Sequence, residues 1–158
     1  MKNIKNMKDS LVKLLMLLIV SVISVSCSDD EIPEQTLDVN PVTIHGIWKQ
    51  EEWNGAPFPK ELYVYIDFNR KGTFKLYQNV HTMGPLYITG EFSIEKDINL
   101  GTILSGRYDF DNGNWNNEYI VTDLLETGSM ILTVKNGDEV FKYVRVDSIP
   151  SEILGTAN

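Results

Sequence analysis

From Pro41 onward, apolar and polar residues alternate in short runs separated by turn residues. Glu61-Leu62-Tyr63-Val64-Tyr65-Ile66-Asp67-Phe68 sets Leu62, Val64, Ile66 and Phe68 on one face, and a period of two is that of a strand with one side buried. Asn69-Arg70-Lys71-Gly72 follows as a tight turn with glycine where a positive φ is needed, and alternation resumes over Thr73–Gln78. The same reading predicts strands at Gly46–Trp53, Leu86–Glu95, Thr102–Phe110, Glu118–Leu125, Ser129–Lys135 and Glu139–Val146, eight in all. Asn136-Gly137-Asp138, between the last two, predicts a type I′ hairpin.

No connection between Pro41 and Val146 is long enough to hold a crossover helix. Neighbouring strands are therefore expected to pair as an antiparallel meander. Eight such strands hide both edges by closing into an up-and-down barrel, so the expected fold class is an all-β, eight-stranded meander barrel. Gly90 and Gly106 fit closure, since a turn centred near Ile98 sets them opposite each other where the sheet must coil. A two-sheet sandwich is the alternative, and it needs longer Greek-key connections. Phe68, Phe74, Phe92, Tyr108 and Phe110, read as inward, predict a mostly filled interior, with Gly90, Gly106, Thr102 and Thr122 leaving a shallow space near one end.

Ahead of the strands, Lys2, Lys5, Lys8 and Lys13 precede an apolar run from Leu14 to Val20 and a serine-interrupted stretch to Val25. This run is shorter than the about 20 residues of a membrane-spanning helix and matches the apolar region of a secretory signal. The next residues are Ser26 and the chain's one cysteine, Cys27. The arrangement resembles a bacterial lipoprotein signal cut before a cysteine that becomes lipidated, although Ser24 stands where such signals usually have Leu. Ser28-Asp29-Asp30-Glu31 resembles the acidic surface-export signal of Bacteroidota lipoproteins. The expected organisation is a signal peptide over 1–26, a lipidated Cys27 and disordered acidic tether over 27–40, the barrel over 41–150 and a tail over 151–158. The resemblance implies an outer-membrane lipid anchor, with the domain exposed at the cell surface or facing the periplasm.

Composition changes the partner classes. With 14 Lys plus Arg against 22 Asp plus Glu, the net charge is −8; losing the four Lys and one Asp of residues 1–26 takes it to −11. That balance repels phosphate backbones and excludes nucleic acid as a favoured partner. A single cysteine rules out an internal disulfide framework.

Three features together resemble the lipocalin-like domain family of bacterial lipoproteins, within the calycin barrels. Gly46-Ile47-Trp48 opens the first strand like the Gly-x-Trp signature of lipocalins, and Tyr143-Val144-Arg145-Val146 closes the last, where such barrels place an Arg against that Trp. The third is the order of lipobox-like cysteine, acidic tether and meander. Strand geometry independently brings Arg145 near Trp48 if the last strand closes on the first, a structural cation–π pair sealing one end. The chain departs from larger lipocalins in its short Asn54–Lys60 loop and in having only Ser151 to Leu154 as a helical turn after the barrel.

Up-and-down order also sorts the loops. One end collects Phe58, His81, Met83 and Trp115, while the other collects polar turns and both termini. Aromatic loop residues on a rigid scaffold suit contact with a ligand or partner; alternatively Phe58 and Trp115 fold back as lids on the core. Catalytic signals are thin. His45 and His81 fall at opposite ends, a loop starting at Asp109 has Asn114 and Ile120 where an EF-hand needs its sixth-position glycine and twelfth-position glutamate, and Glu51 and Glu52 form only a charged patch. The expectation is a monomeric, non-enzymatic binding protein without cofactor or metal, taking a small apolar or amphipathic molecule or a glycan at the open end. The alternative is a protein-interaction or inhibitor-like lipoprotein with a filled core.

Overall fold

The computed structural model describes residues 34–80, 84–110 and 112–155, and the compact unit begins at Glu34. Cys27, the signal segment, His81 and Met83 lie outside the described residues. The strands are β1 (Gly46–Trp53), β2 (Ala56–Pro57), β3 (Val64–Phe68), β4 (Thr73–Gln78), β5 (Leu86–Asp97), β6 (Gly101–Tyr108), β7 (Tyr119–Thr122), β8 (Ser129–Val134) and β9 (Val140–Val146), followed by one helical turn, α1 (Ser151–Gly155). Pairing is antiparallel from β1 through β3 to β9, and β9 returns to β1. The result is a closed, eight-stranded up-and-down barrel, with β2 a short return arm on β1.

Differences from the expected strands have local causes. Asn54 (φ 50) and Gly55 (φ 75) make a two-residue turn that folds β2 onto the end of β1, Trp53 facing Ala56; this is the Asn-Gly hairpin chemistry expected instead at Asn136-Gly137. There, Gly137 is not among the residues of positive φ, and the β8–β9 loop is longer, closed by the Val134 N–H donating to the Glu139 carbonyl. Tyr63 stays outside β3 because the Asn79 side chain takes its N–H and donates to the Glu61 carbonyl at 2.9 Å. β7 stops at Thr122, where Asp123 turns left-handed (φ 48).

The closed end is built by the segment ahead of β1. Residues 34–40, expected as the last part of a disordered tether, are ordered. Thr36 bridges to Leu125, the Leu37 N–H donates to the Leu124 carbonyl, and Val39 is buried in the core. Asn40 then caps a turn, its side-chain oxygen accepting from the N–H groups of Val42 and Thr43. That turn sets Ile44 beneath Trp48, both fully buried, and the indole N–H donates 2.7 Å to the Ile44 carbonyl. Apolar residues at 37 and 39 can cover this end only because the chain doubles back there, which alternation alone does not reveal.

Arg145 seals the same end. Its guanidinium lies 4.3 Å from the Trp48 ring centroid and donates to the carbonyls of His45 and Thr43. A side chain on Gly46 would strike that guanidinium, so the Gly46-x-Trp48 spacing serves the closure directly. Outside the barrel, Tyr65, Tyr77 and Ile149 form a second small core with Ile47, Val146 and Ile153, so the tail covers part of the outer wall.

Candidate functional site

The lower barrel is filled. Trp48, Phe68, Leu104, Leu124 and Met130 are fully buried there, and Phe68 meets Phe92 edge-on at 4.9 Å. The upper barrel is not filled: a cavity of about 380 Å3 opens among β1, β3, β4, β8, β9 and the loops above them. This corrects the expectation of a mostly filled interior. One presumed inward residue is also misplaced: Phe110 is 91% exposed with φ 59, because the chain reverses after β6.

That reversal makes the site. The Tyr108 N–H donates to the Gly113 carbonyl, Arg107 bridges to Asn114, and the Trp115 N–H donates to the Gly106 carbonyl. The expected open loop around Trp115 therefore runs back along β6, whose ladder to β7 covers only Thr102 to Leu104. Trp115 is laid flat against Gly106, where any side chain would collide with the indole. Gly90 and Gly106 do not face each other as expected; Gly90 pairs with Tyr108 and Phe92 with Gly106. Each glycine instead makes room for a ring, Gly90 for Phe74 and Gly106 for Trp115.

The aromatic side chains around the mouth form a connected arc. Phe74 meets Tyr108 at 6.1 Å and Trp115 at 5.0 Å, Trp115 meets Tyr119 at 6.0 Å, Tyr119 meets Phe141 at 6.0 Å, and Phe141 stacks on Trp53 at 6.4 Å. Such ring pairs contribute about 0.5–1.5 kcal/mol each beyond area burial, so the arc is a stiff wall. Trp115 also borders a polar cleft lined by Glu91, Ser105, Arg107, Asn114 and Glu118, and its buried indole N–H has no partner.

Below the arc the floor is polar. Gln50 is 4% exposed yet its amide makes only long contacts, donating 3.5 Å to the Glu52 carbonyl and accepting 3.4 Å from the Tyr143 hydroxyl. The two residues face each other across the β1–β9 seam. Burial pushes the Tyr143 phenol far above its ordinary range, so it remains a neutral donor. Burial likewise raises Tyr119 and Tyr108.

Of the rim residues expected from sequence, Phe58 and Trp115 both line the cavity and both rest against the core, so they are lids as well as walls. Trp48 and Arg145 stand together at the other end and take no part in the cavity. Sequence reasoning missed Trp53, Gln50, Phe141 and Tyr143. Gln50 was discoverable, since it shares the inward parity of Trp48 on β1. Glu51 and Glu52 are ion-paired to Lys142, at 3.7 and 3.0 Å, which gives them a structural role on the outside of the seam. Asp109 accepts a hydrogen bond from the Thr89 hydroxyl, and Asn112 folds back on its carbonyl, so this segment is a polar turn.

Fold and site thus define a closed eight-stranded antiparallel barrel, capped at one end and hollow at the other, of a kind compatible with calycin-like binding proteins. No protein-family model, curated protein or solved structure matches this chain.

Proposed function

We propose that this chain is a lipid-anchored, surface-exposed lipocalin-like protein that takes a small amphipathic molecule into the open half of its barrel. One observation carries the reading: the aromatic-walled cavity of about 380 Å3 falls within the size range of small-molecule sites, about 300–1,000 Å3, and holds a few placed polar groups. A solid interior with aromatic loops turned outward was the pattern expected of a pure protein-docking module. Membrane attachment through Cys27 rests on the signal-like sequence before it. The Glu126 N–H donates to the Gln35 carbonyl at the closed end, so the described chain enters the barrel opposite the mouth. With ordering from Glu34, the covalent reach back to Cys27 is at most about 25 Å, shorter than a tether ending at Asn40 allows.

A second reading, docking of a protein on the outer wall, is favoured by the exposure of Phe110 beside Leu86 and Tyr87. Native mass spectrometry of the full chain separates the two. A small molecule retained after exposure to a mixture of lipids and glycans is the expected result; repeated recovery of an empty barrel sinks the ligand reading. Loss of the acyl mass on Cys27→Ser tests the anchor separately.

A further inference from the structure

Resting on the ligand reading above, we propose that Gln50 and Tyr143 read the head of the bound molecule and restrict the cavity to neutral amphiphiles carrying a hydroxyl or carbonyl group. Both residues lie below the aromatic arc, one step above the Trp48–Arg145 closure on β1 and β9. A primary amide offers two donors and two lone pairs, and good hydrogen bonds run about 2.7–3.2 Å. The Gln50 amide has only two contacts, at 3.5 and 3.4 Å, while sitting almost wholly out of water. A buried amide with this much unused capacity, at the bottom of a chamber walled mainly by aromatic and aliphatic side chains, is costly unless another group completes it. A hydroxyl or carbonyl oxygen on a ligand does so, accepting from the amide N–H, and a hydroxyl can also donate to the phenol oxygen.

Charge is excluded by the same surroundings. Among the described residues, the lining carries no Lys, Arg or His, and its one ionisable carboxylate is Glu139 near the β8–β9 loop. A carboxylate head at the floor finds no cation, and an ammonium finds no anion there, whereas a neutral head loses little on leaving water. The walls above, Phe74, Trp115 and Phe141, accept an apolar body. At about 30 Å3 per water-sized group, the chamber holds about a dozen such groups, a medium-length chain and not a full-length lipid tail.

Titration of the full chain with decanol, decanoate and decane, followed by the fluorescence of Trp53 and Trp115 at neutral pH, tests this. Decanol is expected to bind about a hundredfold more tightly than decanoate, since an unpaired buried carboxylate costs several kcal/mol. Gln50→Leu should weaken decanol about two- to tenfold and leave decane unchanged; Tyr143→Phe, lacking one oxygen, carries the same expectation if the leucine variant does not fold. Decanoate binding as well as decanol, or decanol unaffected in the folded variant, overturns head-group reading while the cavity still binds. Failure of all three ligands overturns the ligand reading itself, and this inference with it.

Discussion

Replacing Gly106 with alanine should destabilise the barrel because a single methyl group collides with the Trp115 indole, whose Cδ2 and Nε1 atoms lie 2.6 Å from the position a Cβ would take. Either the indole stays and strand β6 bends, an overpacking cost of about 1–3 kcal/mol, or the indole leaves. Leaving breaks its edge contacts to Phe74 and Tyr119, at about 0.5–1.5 kcal/mol each. Both routes converge on about 2 kcal/mol, or a fall of roughly 8 °C in Tm for a domain of this size. Urea unfolding followed by tryptophan fluorescence measures the loss. The decisive comparison is the same substitution in a Trp115→Ala background. With the ring gone, the alanine gains backbone rigidity over glycine in a strand, so Gly106→Ala should there be neutral or stabilising by about 0.5 kcal/mol. Equal losses in the two backgrounds refute the packing argument.

Three further outcomes are expected. Arg145→Lys keeps the charge but loses the planar fork that reaches the Thr43 and His45 carbonyls, lowering stability by about 1.5–3 kcal/mol in urea unfolding. Val39→Ala, in the segment that closes the barrel, should cost about 1–3 kcal/mol, whereas Val42→Ala, at a position 62% exposed, should stay within about 0.5 kcal/mol; equal effects refute the plug. The third concerns alkaline pH. Tyr143 has its pKa raised by burial above the ordinary 10.0, so its neutral form stabilises the fold fully below that value and the contribution is lost as pH rises beyond it. Stability should therefore fall above about pH 10, and fall less steeply in Tyr143→Phe. The remaining slope reflects Tyr119, Tyr108, Tyr65 and Tyr77, all raised by burial.

Period-two alternation by itself determined the eight staves and their antiparallel order, because a strand's side-chain parity is a local property and short connections leave only sequential pairing. It also determined that Trp48 and Arg145 meet, since closing the last stave on the first fixes which ends are adjacent. What local pattern cannot carry is how segments without alternation fold back on the barrel. Leu37 and Val39 sit in an acidic stretch that reads as solvated spacer, yet they cap the core once Asn40 turns the chain. Trp115 sits in an asparagine-rich loop, and only its pairing along β6 presses it onto Gly106. The two-residue difference between the expected and observed β5–β6 register moved Gly106 from facing Gly90 to facing Phe92. The hollow itself is a tertiary result: it depends on which inward rings lean together above Gln50 and Tyr143, a packing outcome that residue types and parity leave undetermined.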